Sequence, residues 1–104
     1  METNLTAANF AAETSTGVVL VDFWAAWCGP CQMMNPVVAG IAKDFAGRAK
    51  VGKVNIDEEG ALAQKFGVMS IPTFKIFKDG VEIATMVGGM AKEKLTAELE
   101  KALA

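Results

Sequence analysis

The sequence predicts one mixed α/β domain over residues 1–104, with helices on both faces of a small sheet. Three observations predict it. Strand-like and helix-like segments alternate along the whole chain, with no linker, low-complexity tract or internal repeat between them. One of the strand-like runs is nearly all apolar, as a central strand covered on both faces must be. A composition 52% hydrophobic and 21% charged over 104 residues suits a single buried core and excludes disorder.

The elements follow in order. Leu5 to Ala12, opening near Asn4, reads as a short helix, alone or preceded by a brief edge strand. Val18 to Ala25 is β-branched and aromatic and is bounded by Gly17, which marks it as the central strand. A long helix comes next, with Met33, Val37, Ile41 and Phe45 at four-residue spacing and Met34, Val38 and Ala42 beside them. Gly47 is placed to cap it, and Pro36 inside it predicts a kink. Lys50 to Asp57 alternates as the next strand and completes a β-α-β unit, whose right-handed crossover makes its two strands parallel. Glu58 to Phe66 reads as a short helix ended by Gly67. Thr73 to Lys78 and Val81 to Val87 are strands joined by Asp79-Gly80, a strong hairpin signal. Lys92 to Leu103 closes the chain as an amphipathic helix through Leu95, Leu99, Ala102 and Leu103. The six methionines are mostly read as core filler.

Charge and residue usage exclude most chemistry. Ten Lys and Arg against twelve Asp and Glu give a net charge of −2, which offers no footprint for nucleic acid or an anionic membrane. The chain has no histidine, so the commonest general base and metal ligand is missing. No basic segment followed by an apolar run opens the sequence, and the longest apolar run is far short of the ~20 residues of a membrane span. A monomer in a reducing, cytoplasmic compartment is therefore expected.

What remains is thiol chemistry. The only cysteines, Cys28 and Cys31, stand three positions apart where the central strand hands over to the long helix. A structural disulfide there closes so short a loop that it is worth roughly 2 kcal/mol at most. A zinc site wants four Cys or His ligands, and this chain supplies two. A redox dithiol suits the position best, because free N–H groups and the helix dipole stabilise a thiolate in the first turn. Cys28, at the helix start and partly exposed, is expected to attack a substrate disulfide, and the more deeply placed Cys31 to resolve the mixed disulfide. Gly29 and Pro30 tune the couple, Pro30 stiffening a first turn that tolerates its missing N–H. The absence of a histidine between the cysteines favours a reductant over an oxidant.

Asp22 is the one charge in the apolar strand. It is either an edge or surface position, or a buried carboxyl with a raised pKa that takes the Cys31 proton. Pro72 on sequence alone is a loop breaker before a strand, and Trp24 and Trp27 could both be core aromatics.

Trp27-Cys28-Gly29-Pro30-Cys31 resembles the active-site motif of the thioredoxin family. The similarity runs on through Val21 to Ala25, Lys53 to Asp57, Ile71-Pro72-Thr73, Phe77 to Gly80 and Val87-Gly88-Gly89, nearly the whole chain. It implies a central mixed sheet of five strands flanked by four helices. It implies reduction of disulfide-containing proteins, followed by re-reduction by a thioredoxin reductase. No cofactor is then expected beyond the Cys28–Cys31 couple, NADPH entering only through the reductase. The resemblance makes Asp22 a buried acid and Lys53 its partner, although a plain surface lysine remains open. It also implies a cis Ile71–Pro72 bond facing the thiols, and an exposed apolar docking surface built from Trp27, Gly29, Pro30, Ile71, Pro72, Val87 and Gly88. Gln32 departs from the family, where a Lys or Arg commonly follows the second cysteine. Two rivals remain: a non-catalytic module that binds through the apolar patch, and an exported oxidase or isomerase with the same dithiol.

Overall fold

The computed structural model describes residues 2–104, so Met1 lies outside the described residues. The elements are β1 (Glu2–Asn4), α1 (Phe10–Thr14), β2 (Val18–Trp24), α2 (Gly29–Asp44), β3 (Ala49–Asn55), α3 (Gly60–Lys65), β4 (Thr73–Lys78), β5 (Val81–Val87) and α4 (Lys92–Leu103). The strands form one five-stranded sheet in the order β1-β3-β2-β4-β5. β1, β3 and β2 run parallel, and β4 and β5 are antiparallel additions, with β5 left as an edge. This is the thioredoxin fold that the resemblance implied. Among the described residues, no helix is long and apolar enough to cross a membrane.

Alternation along β2 divides the core in two. Val18 and Leu20 face the side covered by α2 and α4, where they join Met34, Val38, Ile41, Phe74, Ile76, Leu95 and Leu99. Val19, Val21 and Phe23 face the other side, with Phe10, Leu62 and Phe77. Aromatic rings knit that second layer, Phe66 lying 4.9 Å from Phe10 and 5.5 Å from Phe77 between centroids. At the β1 edge, a Cβ on Gly52 would collide with the Leu5 side chain, so the close approach requires glycine. The hairpin turn carries φ of +51° at Asp79 and +85° at Gly80, the signs that a tight turn matched to strand twist demands.

Several expectations are corrected. The first helix begins at Phe10, later than the predicted Leu5, because the Leu5 N–H bonds to the Lys53 carbonyl at 2.8 Å as an extension of the sheet edge. Thr6 and Asn9 then close a turn on each other, the Thr6 N–H donating to Asn9 Oδ1 at 2.7 Å. In α2 the buried stripe is Cys31, Met34, Val38, Ile41 and Ala42, while Met33 is exposed. Gly47 does not cap that helix, which ends at Asp44 with Phe45 as the cap, and Pro36 lies within it. Met69 is also exposed, so core filling describes Met34 and Met86 but not Met33 or Met69.

Candidate active site

The site grows from the junction of β2 with α2. After Trp24 the chain turns, the Cys28 N–H bonding back to the Ala25 carbonyl at 3.2 Å, and Cys28 becomes the N-cap of α2 with extended φ and ψ of −89° and 112°. Its Sγ accepts the Cys31 N–H at 3.2 Å, taking the place of the oxygen that usually caps a helix. Gly29 and Pro30 occupy the first turn, where a missing N–H costs nothing. Cys28 and Cys31 are joined by a disulfide across this turn, with Cα atoms 5.2 Å apart.

The expected contrast in exposure between the two sulfurs is absent: Cys28 is 4% exposed and Cys31 is 2% exposed. Ala25, Trp24, Ile56 and Ile71 pack around both and cover them. Their surroundings separate them instead. Cys28 Sγ is the atom at the helix cap and lies 3.8 Å from the Ile71 carbonyl oxygen, at the face where the Ile71–Pro72 loop arrives.

That loop contains the cis Ile71–Pro72 peptide expected from the resemblance. Pro72 is buried, which corrects its place in the docking surface, and its carbonyl accepts the Gly88 N–H at 2.8 Å to fix the loop against the end of β5. The surface itself is made by exposed Gly29, Pro30 and Val87, with half-buried Ile71 and Gly88. Trp27 stands 69% exposed beside Cys28, its Nε1–H donating to Asp57 Oδ2 at 2.9 Å. Trp24 is half-buried against the cysteine cluster, and Trp27 is the exposed one, as the resemblance implied.

Asp22 stands on β2, the strand that leads into the cysteine turn. Central strand β2 sets it between Lys53 on β3 and Phe74 on β4, which excludes the edge reading. It is 1% exposed, and its Oδ1 has no hydrogen-bond partner among the described residues. Burial pushes its pKa up to about 7, against the downward pull of the Lys53 charge and with a further push from Glu2. Lys53 is half-buried, which excludes a plain surface lysine. Its ammonium nevertheless makes no ion pair with Asp22: it bonds to Asn35 Oδ1 at 3.1 Å, lies 3.9 Å from Glu2 Oε1, and sits over the Trp24 ring at 4.8 Å. The expected partnership is thus one of charge across the strand register and not of contact.

Sequence reasoning missed Glu2, Asn35 and Asp57. Asn35 had one signal available, since it follows Cys31 by four residues and so projects from a similar side of α2. Glu2 reaches the group only because β1 pairs in parallel with β3, a register that no local pattern reveals.

A family model described as Thioredoxin matches residues 2–101. Thioredoxins of Staphylococcus aureus strains Mu50, MW2 and N315 are each 46% identical to the chain over 99 residues, covering 95% of either sequence.

Proposed function

The chain belongs to the thioredoxin family and is a thiol–disulfide oxidoreductase that reduces protein disulfides; from that premise we propose how its residues divide the work. The Cys28 thiolate attacks one sulfur of a substrate disulfide, forming a mixed disulfide and releasing the other substrate sulfur as a thiolate. Cys31 then attacks Cys28 Sγ, which closes the Cys28–Cys31 disulfide and releases the second substrate thiolate. Two electrons have passed from the dithiol to the substrate. Asp22, its pKa pushed up by burial to about 7 and so near the middle of its titration at neutrality, takes the proton that Cys31 must lose. Lys53 balances the charge that Asp22 carries before it takes that proton. Gly29 and Pro30 set the poise of the couple through the turn. The substrate lies along the Ile71 backbone as an added strand segment, against Trp27, Val87 and Gly88.

The observation that carries this reading is the Cys28–Cys31 disulfide across the first turn of α2, with Cys28 Sγ at the N-cap. The chain needs no bound cofactor. Its disulfide is returned to the dithiol by a thioredoxin reductase at the expense of NADPH, in the cytoplasm.

Reduction of insulin disulfides by dithiothreitol, followed by turbidity, tests the reading. Wild type should accelerate precipitation and Cys28→Ser should abolish the acceleration, whereas Cys31→Ser should accumulate a mixed disulfide visible by mass spectrometry. No acceleration by wild type would favour a binding module that uses the apolar patch without chemistry.

A further inference from the structure

A line of two polar side chains, Gln32 and Asn35, joins the active-site loop to the Lys53 ammonium. Lys53 Nζ can only donate, so it fixes the Asn35 amide with Oδ1 toward it, at 3.1 Å. Asn35 Nδ2 then donates to Gln32 Oε1 at 3.1 Å, and the Gln32 Nε2 left over donates to the Ala26 carbonyl at 3.0 Å. The lysine thus determines the polarity of every bond in the chain. One end is Ala26, two residues before Cys28. The other is the ammonium directly across the register from Asp22, whose Oδ1 has no partner among the described residues. A lysine in that register has a bare carboxylate oxygen beside it, yet its hydrogen bond goes to α2.

We propose that Asn35 is a positioning residue: it draws the Lys53 ammonium toward α2 and off the Asp22 carboxyl, with Gln32 anchoring its amide to the active-site loop. The charged groups acting on Asp22 are Lys53 from β3 and Glu2 from β1. β4 places uncharged Phe74 beside it, and α2, which covers the same face of the sheet, carries Cys31, an ionisable group once reduced. Without Asn35, the acceptors left to the ammonium are Asp22 Oδ1 and Glu2 Oε1, each buried without a hydrogen bond among the described residues, and the part of its charge that turns to Asp22 stabilises that carboxylate. Gln32, where the family commonly has a cation, then has a purpose of its own, since a Lys or Arg there has no oxygen with which to hold Asn35. The significance for turnover rests on Asp22 being the proton acceptor for Cys31, but the geometry does not.

The test is a carbon-13 NMR titration of the Asp22 carboxyl in the oxidised protein, where neither cysteine titrates. Asn35→Ala should lower its midpoint by roughly one pH unit, as an approaching opposite charge does. Asn35→Asp, which holds the ammonium more tightly and adds a like charge near the carboxyl, should raise it. In a Lys53→Met background, Asn35→Ala should leave the midpoint in place. An unmoved midpoint in Asn35→Ala, or an equal shift with Lys53→Met, overturns the proposal. The pH profile of mixed-disulfide resolution is read separately: a carboxyl midpoint that moves with no change in that profile upholds the positioning role and removes Asp22 from proton transfer.

Discussion

Asp22 and Lys75 are the charged side chains buried in this sheet, on neighbouring strands and opposite faces, and the fold treats them differently. Lys75 is satisfied. Its ammonium bonds to Glu82 Oε2 at 2.8 Å and to Thr85 Oγ1 at 3.1 Å, and Thr85 donates back to the same carboxylate at 2.9 Å. Burial alone would raise the Glu82 pKa, but the bonds from Lys75 and Thr85 outweigh it and hold that acid below its ordinary value. Asp22 has no such triangle. One oxygen is left bare, the nearest ammonium is held by Asn35, and the acid is driven up instead of down. A closed network fixes a charge in place. An open one leaves a group able to change its protonation, at a cost in stability.

The largest effect should come from Asp22→Ala. An acid with pKa 3.8 when unfolded and about 7 when folded opposes folding at neutral pH. Removing it should stabilise the protein by roughly 3 kcal/mol at pH 7 in urea denaturation. The same variant should slow mixed-disulfide resolution by about 100-fold in stopped-flow fluorescence, the usual worth of a positioned proton acceptor. A destabilised variant with unchanged resolution would erase the contrast with Lys75.

Lys75→Ala should do the reverse, losing about 2 kcal/mol through broken hydrogen bonds and lost packing while resolution proceeds at the wild-type rate. Loss of redox activity in a folded Lys75→Ala protein would show that both charges serve the site.

A third effect is smaller and sharper in sign. For Asp22 the folded state binds the extra proton between pH 4 and 7, so stability should rise as pH falls across that window. Glu82 is depressed, so its contribution is present above its unfolded value of 4.5 and is lost as pH falls through the folded value. Urea midpoints should therefore climb from pH 7 toward 4.5 and fall below it. Asp22→Ala should flatten the climb, and Glu82→Gln, costing about 1 kcal/mol, should flatten the fall.

The sequence made the outer frame of the molecule legible, for definite reasons. β2, the β4–β5 hairpin and α4 were readable because each is a local pattern: a continuous apolar run, Asp79-Gly80 between two alternating segments, and leucines four apart. The start of α1 was not, because Asn4 and Asn9 offer the same capping chemistry, and a sheet-edge bond at Leu5 decides between them. In α2 the four-residue rows through Met33 and Met34 are nearly equal in apolar content, and burial crosses from one to the other: Met34, Val38 and Ala42 of the second row are buried together with Ile41 and Phe45 of the first, while Met33 is exposed. Of the site, Cys28, Cys31 and Asp22 could be found from spacing and from an anomalous charge. The route taken by the Lys53 ammonium could not, since it depends on a side chain 18 residues away.

The position of β5 at the edge of the sheet has a consequence for the behaviour of many copies together. Its outer backbone groups are open to any passing strand, and Val81 and Ile83 stand exposed along it. Glu82 lies between them, so a strand adding there would have to bring its own side chains against a carboxylate kept ionised by Lys75. The residue that closes a hydrogen-bond triangle inside one molecule is thus also the gatekeeper against cross-β stacking between molecules, and Glu82→Val would leave a seven-residue uncharged strand, Val81 to Val87, as a seed for fibrils.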